Sequence, residues 1–178
     1  MTIKNLHIEG VMLITNFSQK DSRGLFVKSF SNNNNLLKKL NFKINEIFYS
    51  KSKIGVVRGM HFQIPNMDNQ KLIYLTSGII RDVLLDLRKS SKTYKKHISL
   101  DLFADKHALL IPPGVAHGFL SKEDNTTIIY NQSSVYSKEH DKGILWNSFG
   151  FDWGIENPII SERDQSFVPL ADYNSPFN

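Results

Sequence analysis

The chain has 178 residues and a formal net charge of +5, a size that fits one well-cored domain spanning residues 1–178. It contains no cysteine, which excludes disulfides, a thiolate nucleophile and cysteine metal ligation. No apolar run is long enough to span a bilayer and the N-terminus lacks a signal-peptide core, so we expect a soluble, cytoplasmic protein without a membrane partner. The positive charge favours an anionic partner. The short basic pairs at 38–39 and 95–96 lack interleaved aromatic residues, so we expect no nucleic-acid binding.

Short apolar segments recur along most of the chain, separated by Gly, Pro, Asn and Asp. They lie at 10–14, 25–27, 47–49, 56–57, 71–75, 79–87, 97–100, 108–111 and 126–130. This spacing predicts an all-β sandwich or barrel rather than alternating strands and helices. A helix is predicted at 34–40, capped by the asparagines at 32–35. The tail after residue 157 should form an ordered wrap or short helical turns.

The segment 55–63 places Arg58, His61 and Gln63 at the end of an apolar, β-branched run. It reads as a buried strand that would hold the histidine rigidly against a ligand. Arg58 and His61 have opposite strand parity, so a bulge or kink at Gly59 is expected if both face the same ligand. In the segment 79–87, Asp82 shares a strand face with Leu84 and Asp86, and it would put a carboxylate inside the barrel if that face points inward.

A second histidine motif supports a cupin-shaped barrel that holds no metal. The spacing of Pro112, Gly114 and His117 resembles the second motif of metal-binding cupins. The first motif would need a His-X-His pair, followed by a glutamate, to complete the metal site. Here it reads His61-Phe-Gln63, with Lys71 downstream. A glutamine is a poor ligand for a transition metal and an ammonium repels one, so we predict a jelly-roll barrel without a metal.

An ordered set of motifs covers nearly the whole chain. The blocks lie at 21–26, 55–63, 71, 81–88, 91–93, 111–119, 129–130, 136, 143–147 and 160–164. Together they resemble the family of nucleotide-sugar 4-keto 3,5-epimerases, of which dTDP-4-dehydrorhamnose 3,5-epimerase is a member. Membership would imply an isomerase that uses no cofactor.

The resemblance implies a catalytic set suited to epimerisation beside a ketone. A C4 ketone acidifies the protons on C3 and C5, and inversion needs a base, an acid on the opposite face and a stabiliser for the enolate oxygen. By resemblance, His61 is the base, polarised by Asp164, and Tyr130 is the acid. Lys71 would place its charge over the enolate oxygen.

The resemblance also implies a set of substrate-binding residues and an assembly. Arg58 would contact phosphate or sugar oxygens. The side chains expected to line the pocket are Gln63, Asp82, His117 and Tyr136. The implied assembly is a homodimer in which an exchanged N-terminal strand brings Arg23 to the partner's nucleotide site.

Three positions depart from the pattern of thymidine-linked members. A glutamate and a Gln-X-Asn pair are replaced by Lys28, Glu46 and Phe48. A carboxylate at Glu46 and a donor at Lys28 would suit the donors and acceptors of guanine, and Phe48 could stack on a base.

We therefore expect epimerisation at C3, C5 or both carbons of a GDP-linked 4-keto-6-deoxy hexose or heptose, for surface sugars such as capsular polysaccharide. The alternatives are a dTDP-4-dehydrorhamnose 3,5-epimerase, a catalytically silent sugar-nucleotide binding module and, least favoured, a metal-dependent cupin oxygenase.

Overall fold

The computed structural model describes residues 2–31 and 42–178, and the helix predicted at 34–40 lies outside them. The regular structure of the described residues is nearly all β, as predicted. The strands are β1 (Thr2–Asn5), β2 (Met12–Thr15), β3 (Phe17–Asp21), β4 (Gly24–Lys28), β5 (Glu46–Ser52), β6 (Val57–Gln63), β7 (Lys71–Ser77), β8 (Ile79–Asp86), β9 (His97–Phe103), β10 (His107–Ile111), β11 (Val115–Ser121), β12 (Thr126–Gln132) and β13 (Asp141–Gly143). The tail carries helix α1 (Glu162–Gln165) and a 3-10 turn (Leu170–Asp172), which confirms the expected short helical turns.

Two antiparallel sheets face each other across the main core. One has the order β1-β2-β10-β7-β12-β5 and the other β13-β6-β11-β8-β9. Side chains from both inner faces interdigitate, with Ile73 and Leu75 of β7 packed against Ile80 and Leu84 of β8. Alternation along each strand sends every second side chain into this layer. The result is the predicted cupin-like jelly roll.

The outer face of the five-stranded sheet is covered by the C-terminal tail. Met60, Val83 and Leu85 pack there against Trp153 and Phe177. The tail also joins the fold through two bridges, Val56 with Ile159 and Ile144 with Val168. This wrapping places α1 directly beside β6, which is where the candidate site lies.

The hairpin of β3 and β4 forms a separate two-stranded sheet with unusually exposed apolar side chains. Phe17, Leu25 and Phe26 are 45%, 51% and 57% exposed. An isolated hairpin is only marginally stable in water. Exposed apolar side chains of this kind are typical of a surface that packs against another element or chain. Neither described helix is long and apolar enough to cross a membrane.

Candidate active site

A cavity of about 270 Å³ opens between the two sheets and receives side chains from both. The five-stranded sheet contributes His61 and Arg58 from β6 and His117 from β11. The six-stranded sheet contributes Lys71 from β7 and Tyr130 from β12. Residues distant in the chain thus converge because the sheets pack face to face, and the cavity brings together most of the predicted site.

The irregularity predicted at Gly59 is present and allows Arg58 and His61 to face the cavity together. His117 of β11 pairs with His61, but Phe119 pairs with Arg58, so the register shifts between them. Gly59 has φ of +143°, and a Cβ there would lie 2.5 Å from the Cα of Gly118. Only glycine combines this backbone conformation with so close an approach of two strands.

His61 is paired with a buried carboxylate. Its Nε2 lies 2.9 Å from Oδ1 of Asp164 on α1, while Oδ2 of Asp164 accepts the Gly59 N–H at 3.0 Å. Ser161 caps α1 by accepting the Asp164 N–H, which fixes the carboxylate's place. The imidazole is 29% exposed, into the cavity. The predicted pair is therefore assembled, with Asp164 behind His61 rather than in the cavity lining.

Burial and hydrogen bonding move the pKa values of this pair. Desolvation lowers the pKa of His61 below its usual value, against the opposing effect of Asp164. Burial acts to raise the pKa of Asp164, but the hydrogen bonds from His61 and Gly59 outweigh it and hold that pKa below its usual value. At neutral pH the arrangement is a neutral imidazole against an ionised carboxylate, which suits a proton acceptor.

Lys71 is a buried ammonium on the opposite sheet. Its Nζ donates to the carbonyl oxygen of His61 at 3.1 Å, and 7% of the residue is exposed. Desolvation lowers the pKa of Lys71 from 10.5 to about 8, against the charges of Asp141 and Asp82. A cation held in such a dry site interacts strongly with any negative charge that develops beside it.

Tyr130 lies across the cavity from β6 and contacts two side chains of β5. Its ring stacks on Phe48 with 4.7 Å between centroids and 13° between planes, and its hydroxyl lies 3.3 Å from Oγ of Ser50. Burial raises the pKa of Tyr130 far above its usual value. The phenol therefore remains protonated over the whole working range and can act only as a proton donor or hydrogen-bond partner in the resting site.

Asp82 faces inward, as its strand parity allowed, but lies behind the cavity. Its Oδ2 is 2.6 Å from Nε2 of His117, and Oδ1 is buried without a hydrogen-bond partner in the described chain. Desolvation raises the pKa of Asp82, partly offset by His117 and Lys71. Of the residues expected to line the pocket, His117, Gln63 and Tyr136 do so, whereas Asp82 supports His117 from beneath.

Three predicted nucleotide contacts do not meet at this cavity within one chain. Lys28 lines a second cavity on the outer face of the six-stranded sheet. The carboxylate of Glu46 accepts the backbone N–H of Tyr136 at 2.9 Å and so anchors the loop after β12. Arg23 lies at the tip of the β3–β4 hairpin, where it pairs with Asp21 at 2.6 Å. Phe48 lines the main cavity but stacks on Tyr130 rather than standing free.

The structure adds cavity residues that sequence reasoning missed. Ser50 shares strand parity with Phe48, a signal that could have identified it. Asp141 and Arg163 form an ion pair of 2.6 Å at the cavity, and Arg163 also lies over the ring of Phe167. That pair joins β13 to α1, and nothing in the local pattern of either segment foretells it. In the ranges 2–31 and 42–178, no cluster of His, Cys, Asp and Glu is arranged to hold a metal ion.

Two facing sheets enclose a cavity in which a histidine paired with a carboxylate lies opposite a tyrosine. This arrangement is that of a cupin-like epimerase. The family model for dTDP-4-dehydrorhamnose 3,5-epimerase matches residues 5–172. The chain belongs to this family and is an enzyme, a sugar epimerase of the isomerase class. Membership in a family of epimerases supports neither the alternative of a catalytically silent binding module nor that of a metal-dependent oxygenase.

Individual relatives agree with this assignment. The chain is 38% identical over 162 residues to the dTDP-4-dehydrorhamnose 3,5-epimerase of Shigella flexneri, covering 86% of this chain and 88% of that protein. The crystal structure of the Sulfolobus tokodaii enzyme matches 99% of this chain and 98% of its own, with 34% identity and a TM-score of 0.91. The Bacillus anthracis enzyme with TDP and PPi bound matches 95% of this chain and 99% of its own, with 32% identity and a TM-score of 0.89.

Proposed function

We propose that this chain is a dTDP-4-dehydrorhamnose 3,5-epimerase, which inverts carbons beside the C4 ketone of a thymidine-linked 4-keto-6-deoxy sugar. The observation that carries the proposal is the placement of His61 with its Asp164 carboxylate on one sheet and Tyr130 on the other, facing a common cavity. Inversion requires proton removal on one face and return on the other, and groups on opposed sheets suit that requirement.

In the proposed reaction, neutral His61 takes the proton from C3 or C5 and becomes imidazolium, which the Asp164 carboxylate stabilises. The electron pair moves to the C4 oxygen, and the Lys71 ammonium stabilises the resulting enolate. Tyr130 then donates its proton to the opposite face of the same carbon. Arg58, with Gln63, His117 and Tyr136, would hold the sugar and diphosphate.

The thymidine nucleotide replaces our expectation of GDP. The family and the matched relatives are named for dTDP, and the Bacillus anthracis structure carries TDP. The structural basis of the guanine prediction is also weak, since Glu46 is engaged by the Tyr136 N–H and Lys28 lines a different cavity. The interpretation of Lys28, Glu46 and Phe48 as guanine recognition is therefore not supported.

The test is incubation with dTDP-linked and GDP-linked 4-keto-6-deoxy sugars in deuterium oxide, read by NMR. We expect deuterium at C3, C5 or both in the dTDP sugar, with inversion. His61→Asn should abolish exchange because an amide cannot accept the proton, whereas Tyr130→Phe should exchange with impaired inversion. Retention of all original hydrogens by the wild type, or turnover of the GDP sugar alone, would refute the proposal.

The proposed assembly is a homodimer in which the N-terminal hairpin of each protomer crosses to the other. The exposed Phe17, Leu25 and Phe26 support it, because a partner would cover apolar side chains that this chain leaves open. Arg23 at the hairpin tip would then reach the partner's nucleotide site. Such an exchange also covers strand edges. We further propose that residues 1–178 form one domain.

A further inference from the structure

We propose that Phe48 is a positioning residue that holds Tyr130 in the orientation required to return a proton to the inverted carbon. The inference rests on the proposed function and deepens it. It also revises the expected role of Phe48, from stacking on a nucleotide base to stacking on the tyrosine of the same site.

The contact between the two rings is built into the sheet. Phe48 of β5 and Tyr130 of β12 are direct cross-strand partners, and their rings stack at 4.7 Å and 13°. Cross-strand aromatic pairs restrict each other's side-chain torsions because both rings must stay within one layer. Phe48 is 42% exposed while Tyr130 is 8% exposed, so the phenylalanine covers the tyrosine rather than sharing a buried core with it.

Phe48 is also well placed relative to the other contacts of Tyr130. Ser50, two residues along the same face of β5, lies 3.3 Å from the tyrosine hydroxyl. On another side the ring meets His117 edge-on, with centroids 6.3 Å apart. The serine contact is made to the hydroxyl alone, whereas the stacked ring of Phe48 covers a face of the tyrosine ring. Without Phe48, the ring of Tyr130 would gain freedom to rotate away from the carbon that it must protonate.

The chemistry separates this role from a purely structural one. Proton removal by His61 depends on β6 and α1, whereas proton return depends on Tyr130 and therefore on β5. Loosening Tyr130 should slow inversion while leaving removal of the proton in place. The abstracted proton would then be replaced from the His61 side, which gives isotope exchange with retention of configuration.

The experiment compares Phe48→Ala with the matched change Phe103→Ala in the full-length protein, using the dTDP-linked 4-keto-6-deoxy sugar in deuterium oxide. Phe103 on β9 is similarly exposed, at 37%, and lies outside the cavity lining. We expect Phe48→Ala to lower the inversion rate about two- to tenfold, the worth of an aromatic pair. Exchange should persist, so that the ratio of exchange to inversion rises. Phe48→Tyr should restore the wild-type ratio, and Phe103→Ala should not change it.

Several outcomes would overturn the inference. Equal loss of exchange and inversion in Phe48→Ala would assign Phe48 a general structural role. If the ratio of exchange to inversion is unchanged and calorimetry shows weaker dTDP binding, the role of Phe48 is instead to stack on the nucleotide base. Both outcomes presuppose an active wild type, whereas a wild type that shows neither exchange nor inversion would instead contradict the proposed function itself.

Discussion

Lys71 carries a buried charge that the proposed reaction needs and that costs the fold stability. The ammonium is buried, donates to one backbone carbonyl and has no carboxylate within ion-pair distance in the described chain. Its folded-state pKa of about 8 lies below the usual lysine value of 10.5. The charged form is therefore disfavoured in the fold, although the proposed reaction requires it.

The first prediction is a bell-shaped pH dependence of kcat/KM. The rate should rise with pH as His61 loses its proton, through a pKa below the usual histidine value, and fall near pH 8 as Lys71 loses its charge. Steady-state kinetics between pH 5 and 10 measure both limbs. Lys71→Arg keeps its charge, so any remaining activity should lack the alkaline limb. A wild-type rate that is constant up to pH 10 would contradict the assignment.

The second prediction is that Lys71→Met stabilises the protein while abolishing turnover. Because the folded pKa is lowered, the unfolded state binds more protons between about pH 8 and 10.5, so wild-type stability rises with pH across that window. Below about pH 8 the full free-energy cost of burying the charged ammonium remains, on the order of 3 kcal/mol. We expect a higher free energy of unfolding for Lys71→Met at pH 7, by up to that amount, in denaturant titrations at equal protein concentration. A less stable variant would show that the ammonium is better solvated than its burial indicates.

The third prediction concerns Asp164→Asn. The amide keeps the shape but removes the charge that stabilises imidazolium, so the pKa of His61 should fall further and the acidic limb should move to lower pH. We expect kcat/KM to drop by roughly 10²–10⁴-fold. Kinetics together with an NMR titration of the histidine test this. Unchanged activity would mean that the pair serves the fold and not the reaction.

Strand β6 shows which features of the fold could be predicted from the sequence. Parity alone required an irregularity at Gly59 if Arg58 and His61 shared a ligand, and the register shift is there. Strand parity also allows Asp82 to face inward. Asp82 shares its strand face with Leu84, which lies in the core, and Asp82 is buried on that same side. These inferences succeeded because period-two alternation is a local property of a strand.

Other elements could not be read from local pattern. Strand β3 has the polar sequence Phe17–Asp21 and is exposed throughout, so no alternation marked it. The chemistry of Glu46 suits guanine, but its carboxylate accepts a hydrogen bond from the Tyr136 N–H, 90 positions away in the chain. Contacts of this separation depend on how strands pair, and one sequence does not encode that in any short window.

The fourth prediction is that Gly59→Ala destabilises the fold and displaces His61. The substitution adds a Cβ at positive φ and drives it against the backbone of Gly118. We expect a loss on the order of 3 kcal/mol in the free energy of unfolding. Gly150→Ala is a matched control, because Gly150 has φ of +78° but open space around the missing Cβ. Equal costs for both variants would show that the close strand approach contributes nothing.

The fifth prediction belongs to the whole molecule, which we expect to be a dimer in solution. Light scattering at micromolar concentration should give twice the mass of 20.4 kDa. Phe26→Asp on the hairpin should shift the equilibrium toward monomer and weaken nucleotide binding in the same variant, because the hairpin would complete the partner's site. A fully active wild-type monomer would exclude the exchanged assembly.

The two opposed sheets have a consequence for how this enzyme could change its stereochemical outcome. His61 lies on one sheet and Tyr130 on the other, so we expect their separation to depend on the thickness of the apolar layer between the sheets. Leu75 and Leu84 are both buried in that layer. Because protein interiors are close-packed, adding or removing even one methylene shifts the neighbouring side chains. We therefore expect conservative substitutions at Leu75 and Leu84 to vary which carbon of the proposed sugar substrate lies within reach of both groups, without altering any side chain of the cavity lining.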